Sequence, residues 1–392
     1  MHSNRLILPI IVFSQFCCTS LWFAGNAVMR NLAIEFQLPE SALGHLTSAV
    51  QFGFITGTLV FALLTISDRF SPSRVFLTCA IIGAFFNAGT IYESNNFASL
   101  LILRFLTGFF LAGIYPVGMK IAADYYQQGL GKSLGFLVGA LVLGTAFPHL
   151  LKGSASTLPW TFLVVATSLL AILGGVLIWL FVPDGPYRKV SQKADLTAFL
   201  NVFKNRIFRS AAFGYFGHMW ELYAFWAFVP IILVTYQERY PETTMNVSLL
   251  SFLIIGIGGL ACVVGGYIAQ SLGTKKTASI ALFLSGACCL VSPLIFFVHS
   301  SAVLIGFLIF WGIVVIADSP LFSTLVAQNA DAESKGTALT IVNCVGFSIT
   351  IISIQLLTAL HGLMNPVYIY VSLAIGPIFG LMSMLGRNRH LM

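Results

Sequence analysis

Apolar stretches of about 20 residues recur along this chain, and no other feature limits its fold so strongly. The hydrocarbon core of a bilayer is about 30 Å thick, which a helix of about 20 residues can cross. Twelve such stretches lie near 6–29, 42–66, 75–93, 97–124, 133–151, 159–182, 209–236, 246–271, 277–298, 301–328, 336–360 and 364–386. The sequence therefore predicts an all-α polytopic membrane protein with twelve transmembrane helices.

Composition excludes a soluble protein. Hydrophobic residues make up 58% of the chain and charged residues only 8%, and the mean hydropathy is +0.92. Soluble domains contain far more charge. The first apolar stretch is too long for a signal-peptide core, so we expect it to remain as a membrane anchor.

The net charge of +7 sets topology and does not indicate a nucleic-acid partner. If both termini are cytoplasmic, fifteen Lys and Arg residues lie in the inner loops and tails, against only Arg30, Lys152 and Arg239 outside. This asymmetry predicts cytoplasmic termini by the positive-inside rule. The longest polar segment then connects the two halves inside the cell, which gives three predicted regions: 1–183, 184–209 and 210–392.

A repeat relates the two halves. Gly108 and Pro116 recur as Gly312 and Pro320, at an offset of about 204 residues. The loop 68–71 falls opposite 270–273, at an offset of about 202. Transporters are commonly built from such repeats, with the binding site at their interface. The repeat therefore predicts two pseudo-symmetric six-helix bundles.

Motifs for enzymatic or metal chemistry are missing from the sequence. It contains no phosphate loop, nucleophile elbow, zinc motif or C-x-x-C pair, and the seven cysteines all fall within predicted spans. We therefore expect no enzyme activity, no metal and no cofactor. Ion or solute gradients are the expected source of energy.

The loop between the second and third spans resembles that of the major facilitator superfamily. Its outline G-x-x-x-D-R-x-G-x-x-R is matched by Asp68, Arg69 and Arg74, while other residues replace the glycines. The fourth span supplies the family's R-x-x-x-G as Arg104 and Gly108. The segments SLWFAGNAV and GHMWELYAFWAF resemble those of a bacterial branch near the nitrate and cyanate permease-like transporters. The resemblance implies the major facilitator fold and the inner membrane of a bacterium.

Two departures bear on the substrate. Nitrate porters use arginines in their second and eighth helices, and here both spans lack Lys and Arg, which argues against nitrate. Drug–proton antiporters carry G-x-x-x-G-P-x-x-G-G in the fifth helix. This chain has Gly135, Gly139 and Gly144, with Pro148 beyond the last glycine, which weakens the drug-efflux interpretation without removing it.

Charged and titratable residues within spans are costly and usually functional. The resemblance implies that helices 1, 4, 7 and 10 line the central cavity, and we predict proton coupling by Glu221, His218 and Asp318. His218 and Glu221 are three residues apart, so they share a helix face and can exchange a proton. The alternatives are a structural polar pair for these two and a bridge from Asp318 to Arg104 or Lys120.

Arg104 is the leading candidate for binding an anion, because a guanidinium forms bidentate contacts with carboxylates. Tyr115 lies eleven residues later, on nearly the same helix face. A structural role for Arg104 is the alternative. Four further polar or aromatic residues are predicted to contact substrate, with hydrogen bonding between helices as the alternative: Trp22, Asn26, Gln51 and Trp226.

The inner gate is predicted from the loop motif. Asp68, Arg69 and Arg74 lie at the cytoplasmic end of the second span. Lys120 lies near the same end of the fourth span, where we expect it to pair with Asp68 or to extend toward the interface. These four residues are the predicted gating set.

These observations predict a secondary transporter that carries a small organic anion with protons by alternating access. Its expected partners are that anion, protons and membrane lipid, and we expect a monomer. Proton-driven efflux of an amphipathic compound is one alternative. A non-transporting membrane sensor on the same fold is another.

Overall fold

The computed structural model describes residues 4–126, 130–154, 157–188, 203–330 and 335–385, and over these ranges the chain is helical with no strand. Nine of the described helices are long and apolar enough to cross a membrane, and three further segments complete a set of twelve. The twelve segments are α1 (Asn4–Thr19), α2 (Ala42–Leu63), α3 (Pro72–Gly89), α4 (Phe97–Tyr125), α5 (Leu130–Ser154), α6 (Trp160–Phe181), α7 (Arg206–Arg239), α8 (Val247–Leu272), α9 (Thr274–Ile295), α10 (Ser301–Asn329), α11 (Lys335–Leu363) and α12 (Ile369–Leu385). The predicted all-α class is confirmed.

Three of these helices are interrupted. α1 ends at Thr19 and is followed by two short helices, Ala24–Ala27 and Met29–Glu35, so the prediction of one continuous span over 6–29 is wrong. α4 breaks after Leu111, and α10 breaks after Ala317. Both restart with a proline as second residue, Pro116 and Pro320, where a missing N–H costs nothing. The repeated prolines therefore mark matching interruptions.

The repeated glycines also make equivalent helix contacts in both halves. A Cβ atom added to Gly108 would lie 2.0 Å from the carbonyl oxygen of Val50 in α2, and one added to Gly312 would lie 2.1 Å from that of Ile254 in α8. Val50 and Ile254 are themselves 204 residues apart. Each half thus packs its fourth helix against its second through a backbone contact that only glycine permits.

The halves meet through α2 against α11 and α5 against α8. We call the ends where α2 and α8 begin the outer ends, following the predicted topology. There the packing is close: Gln355 of α11 donates a hydrogen bond to Ser48 of α2 at 2.9 Å, and Asn246 donates to the Gly153 carbonyl at 3.3 Å. The outer side of the interface is closed.

Toward the inner ends the helices diverge. Gly139 of α5 and Gly259 of α8 are still close, since a Cβ on either would lie 3.1 Å from the other's carbonyl oxygen. Nearer the inner ends, a Cβ on Gly135 or on Gly266 would meet nothing within 4 Å. A cavity of about 270 Å³ opens between these two glycines. The contact between α5 and α8 is therefore close toward the outer ends and separated at the inner ends.

The connector is only partly described. α6 ends at Phe181 and α7 begins at Arg206, a few residues before the predicted boundary at 210. Residues 189–202 of the predicted connector lie outside the described ranges. The division into 1–183, 184–209 and 210–392 stays a prediction.

Candidate functional site

A histidine and an aspartate form a buried pair between α7 and α10. His218 Nδ1 lies 2.8 Å from Asp318 Oδ1, and the two side chains are 1% and 0% exposed. Asp318 stands at the break in α10, where the helix can admit a side-chain partner. Within the described ranges, Asp318 Oδ2 and His218 Nε2 have no hydrogen-bond partner. A buried pair with unused proton sites is suited to holding or releasing a proton.

Glu221 faces other helices. Trp311 Nε1 of α10 donates to Glu221 Oε1 at 2.6 Å, and the Ser285 hydroxyl of α9 donates to Oε2 at 2.9 Å. Glu221 is fully buried. The predicted pairing of His218 with Glu221 is therefore wrong: His218 contacts Asp318 of α10, while Glu221 contacts Trp311 of α10 and Ser285 of α9.

Ser285 has a second hydrogen-bond partner, so its hydroxyl can adjust to either protonation state of Glu221. Its hydroxyl lies 3.1 Å from the Leu282 carbonyl oxygen, in the preceding turn of α9. When Glu221 is ionised, Ser285 can donate to it, and when Glu221 is protonated, Ser285 can accept from it and donate to Leu282. Sequence reasoning missed both Ser285 and Trp311. The one available signal concerned Trp311, which directly precedes the repeated Gly312.

Arg104 is anchored to the break in α1. Its guanidinium donates to the carbonyl oxygens of Leu21 at 3.2 Å and Trp22 at 2.5 Å, and to Asn87 Oδ1 of α3 at 3.2 Å. The side chain is 2% exposed. These carbonyls lie where α1 is broken and lack helical partners, so Arg104 replaces the missing hydrogen bonds. Its predicted contact with substrate stays a prediction.

An aromatic cluster joins the two halves. The ring of Trp22 lies 4.8 Å from Phe54, 5.8 Å from Tyr223 and 5.7 Å from Phe347, between ring centroids. Tyr223 continues to Trp226 at 5.2 Å. The segment after α1 thus contacts α2, α7 and α11 through aromatic side chains.

Unpaired polar atoms lie in this cluster and beside it. Among the described residues, neither Trp22 Nε1 nor Trp226 Nε1 has a hydrogen-bond partner, and both amide atoms of Gln51 are also unpaired. Gln51 lies one turn before Phe54 in α2. Buried polar groups normally find partners, so these atoms are candidates for contact with a solute or water.

Two other predicted substrate residues are placed differently. Asn26 already donates to the Thr47 hydroxyl of α2 at 2.9 Å, which fixes the short helix Ala24–Ala27. Tyr115 begins the inner piece of α4 and is half-buried. Their contact with substrate stays a prediction.

The inner end of the N-terminal half carries a charge network. Lys120 Nζ lies 2.9 Å from Asp68 Oδ1 and 3.7 Å from Asp124 Oδ1, so the predicted Lys120–Asp68 contact is present. Arg188 donates to the carbonyl oxygens of Asp68 and Phe70 at 3.0 and 2.9 Å. The gating role stays a prediction.

Arg69 and Arg74 do not join this network. Both side chains are exposed. Within the described part of the chain, no ion pair involves either of them. Only the positive charge of these two exposed side chains at the inner surface therefore supports their predicted place in the gating set.

The outer loops contain one titratable pair. His299 Nε2 lies 2.5 Å from Glu242 Oε1 on an exposed surface. A hydrogen bond from its own backbone N–H, together with His299, lowers the pKa of Glu242. In the described ranges no group of three or more His, Cys, Asp or Glu side chains is arranged to hold a metal ion.

The sequence matches a known family. The family model described as Major Facilitator Superfamily matches residues 11–354. Among curated proteins, the 4-hydroxybenzoate transporter PcaK of Pseudomonas putida is 28% identical over 184 residues, which cover 46% of this chain and 39% of that protein. Multidrug resistance protein MdtM of Escherichia coli (strain K12) is 25% identical over 218 residues, covering 53% and 51%. The matches cover no more than about three fifths of these relatives' length.

A solved structure matches the whole fold. The crystal structure of the human organic anion transporter MFSD10 (TETRAN) superposes with a TM-score of 0.73 and covers 98% of this chain and all of that one, at 14% identity. At that identity the likeness concerns the fold alone, and it confirms the predicted major facilitator arrangement. Membership of the nitrate and cyanate permease-like branch stays a prediction.

Proposed function

The chain belongs to the major facilitator superfamily, and we propose that it is a secondary transporter that carries a small organic anion together with protons. The observation that carries this proposal is the buried acid chemistry of the C-terminal half. His218 and Asp318 form one pair, and Glu221 forms a second site held by Trp311 and Ser285. Ionisable groups at membrane depth are costly and are kept for function.

Proton binding changes the charge of these sites in a defined way. The His218–Asp318 pair carries one negative charge when the imidazole is neutral and the carboxylate is ionised, and it becomes neutral overall when it gains one proton. Glu221 changes from an anion to a neutral acid, and Ser285 can adjust its hydrogen bond to either state. A transporter can couple to a proton gradient when the reorientation of its halves depends on such a charge change.

The unpaired donors favour an anionic substrate. The indole N–H groups of Trp22 and Trp226 can only donate hydrogen bonds, and both lie unpaired in the aromatic cluster. The Gln51 amide adds two more N–H groups. Arg104 adds a positive charge nearby, since its guanidinium donates to the backbone carbonyl oxygen of Trp22. An aromatic carboxylate would stack in the cluster and accept from these donors.

The relatives support this choice of class. PcaK is named as a transporter of 4-hydroxybenzoate, which is an aromatic carboxylate. We infer that this chain takes a related kind of substrate. The closed outer side and diverging inner side of the interface support alternating access.

Proton-driven efflux of an amphipathic compound is the second candidate. The aromatic cluster of Trp22, Phe54, Tyr223 and Phe347 favours it, because such a surface accepts flat apolar molecules of many shapes. MdtM is named as a multidrug resistance protein. For either candidate we propose a bacterial inner membrane as the location, with both termini cytoplasmic as the charge asymmetry predicts.

A ligand screen separates the two candidates. Thermal unfolding of the purified protein is measured with 4-hydroxybenzoate, aliphatic carboxylates, nitrate and cationic drugs, because a ligand that binds only the folded state raises the melting temperature. We expect aromatic carboxylates to stabilise the wild type. Trp22→Phe removes the indole N–H and keeps an aromatic ring, so it should weaken that stabilisation. Stabilisation by cationic drugs alone would contradict the anion proposal and favour efflux.

A further inference from the structure

An asparagine with a free amide group lies one helix turn from the aromatic cluster, toward the inner ends. Asn343 and Phe347 are four residues apart in α11, so they share a helix face. Phe347 packs against the rings of Trp22 and Tyr223. Because α11 begins at its inner end, Asn343 lies about 6 Å closer to the inner side than Phe347. It therefore stands at the inner edge of the site proposed for the aromatic carboxylate.

A tyrosine fixes the orientation of this amide group. The Tyr215 hydroxyl of α7 donates to Asn343 Oδ1 at 3.0 Å. Tyr215 is 5% exposed, and its ring lies against α11 at Gly346, where an added Cβ would come within 2.6 Å of the ring. Because the amide oxygen is already bonded to Tyr215, the Nδ2 group is left to donate. Within the described ranges, Nδ2 has no acceptor in the protein.

The exposed part of Asn343 is directed away from lipid. Asn343 is half-buried. On the same helix, Ser348 and Ile352 are both exposed, and they lie about 140° and about 180° around the helix from Asn343. These two residues mark the lipid side of α11. The exposed part of Asn343 therefore faces the space between the halves, where a solute can reach its N–H groups.

The free N–H groups indicate which substituent the substrate carries. The NH₂ group of an amide donates hydrogen bonds and does not accept them. When a carboxylate binds the indole donors of Trp22 and Trp226, its aromatic ring lies in the cluster. A benzene ring is about as long as the helix turn that separates Asn343 from Phe347, so its far end can reach Asn343. A bound ring without an oxygen there would leave the N–H groups buried and unpaired.

We propose that Asn343 is a specificity-determining residue that donates a hydrogen bond to an oxygen on the ring carbon opposite the carboxylate. The inference rests on the proposed function, and it adds the class of substrate: an aromatic acid with a second oxygen group, which is either a hydroxyl or another carboxylate. Tyr215 is a positioning residue, because it acts through Asn343.

The test measures the dissociation constants of benzoate, 4-hydroxybenzoate and terephthalate for the full-length protein in detergent. One hydrogen bond changes affinity about fivefold. Wild type should therefore bind 4-hydroxybenzoate or terephthalate about fivefold more tightly than benzoate, and the tighter of the two identifies the oxygen group. Asn343→Leu removes the donor at nearly the same volume, so it should abolish this preference while benzoate binding stays the same.

Two further variants complete the test. Tyr215→Phe keeps the amide but frees its orientation, so the preference should fall only in part, by about twofold. Ser348→Ala, on the lipid side of α11, is the matched control and should keep the full preference. The wild-type preference does not depend on how any variant folds.

Three outcomes would overturn this inference and leave the proposed function standing. They are equal affinity of wild type for all three acids, an equal loss for all three acids in Asn343→Leu, and an undiminished preference in Asn343→Leu. Failure of wild type to bind any of the three acids would overturn the proposed function as well.

Discussion

The two halves share one scaffold but hold different kinds of buried charge. In the N-terminal half, Arg104 of α4 is bound to the carbonyls of Leu21 and Trp22 and to Asn87 of α3. In the C-terminal half, Trp311 of α10 and Ser285 of α9 donate to Glu221 of α7. The same three helices of the repeat meet in both cases.

This difference indicates a division of labour. A guanidinium keeps its charge throughout the physiological range, and Arg104 holds the broken end of α1 in place. Glu221, His218 and Asp318 can all gain or lose protons. We therefore propose a structural role for the buried charge of the N-terminal half and proton chemistry for that of the C-terminal half.

The largest effect on stability is expected from Arg104→Ala. It leaves the carbonyls of Leu21 and Trp22 and the Asn87 amide without their donor, and hydrogen bonds to charged groups contribute about 1.5–3 kcal/mol each. We expect the free energy of unfolding to fall by about 3 kcal/mol or more. Glu221→Gln should change it far less, because the amide oxygen can still accept from Trp311. Thermal unfolding in detergent measures the stability of both variants. Equal losses would contradict the structural role of Arg104 as distinct from that of Glu221.

The shared scaffold is tested by Gly108→Ala and Gly312→Ala. Each added methyl group would collide with a carbonyl oxygen, that of Val50 or that of Ile254. Overpacking of this kind costs about 1–3 kcal/mol, and we expect similar losses in both halves. Gly306→Ala is the control, because a Cβ there meets nothing within 4 Å. A large loss at only one of the two glycines would show that the repeat no longer packs alike.

The inner charge network gives a smaller effect. Asp68→Asn removes the ion pair with Lys120. The Asp68 side chain is 12% exposed and that of Lys120 is 22% exposed, so the free energy of unfolding should change by less than about 1 kcal/mol. Turnover should slow while ligand affinity stays the same. Lys120→Met should slow transport similarly, and the double variant should be no slower than either. Unchanged transport in Asp68→Asn would leave the network without a gating role.

The smallest effect is expected at the outer loops. The pKa of Glu242 is lowered in the folded protein by its own backbone N–H and by His299. A carboxyl group with a lowered pKa stabilises the fold above its unfolded pKa of about 4.5, and this contribution is lost as the pH falls further. Melting temperatures of wild type and Glu242→Gln should therefore differ slightly near neutral pH and converge in acid. A gap that widens in acid would contradict the assignment.

Patterns that depend on one helix or on the repeat could be predicted from the sequence. Spans follow from runs of apolar residues, and the glycines and prolines of the repeat mark helix contacts and breaks. The contact between Asp68 and Lys120 also followed, because both residues lie at the same membrane face. Such features depend on local composition or on equal spacing in two copies.

Side-chain partners on distant helices could not be predicted in this way. The spacing of three residues predicted a contact between Glu221 and His218. In the structure Glu221 instead contacts α9 and α10, and His218 contacts Asp318. For Arg104 the sequence left both substrate contact and a structural role open, and the break after α1 supplies main-chain acceptors that apolar periodicity does not reveal. These contacts depend on how helices rotate and break against each other.

We propose that proton coupling resides in the C-terminal half. Its most direct test is transport in proteoliposomes by Glu221→Gln and Asp318→Asn, with the substrate found by the ligand screen. Each substitution fixes a neutral side chain of nearly the same shape. We expect accumulation driven by a pH gradient to be lost and substrate exchange across the membrane to persist, since exchange needs no net proton movement. Normal proton-driven accumulation by both variants would contradict the account.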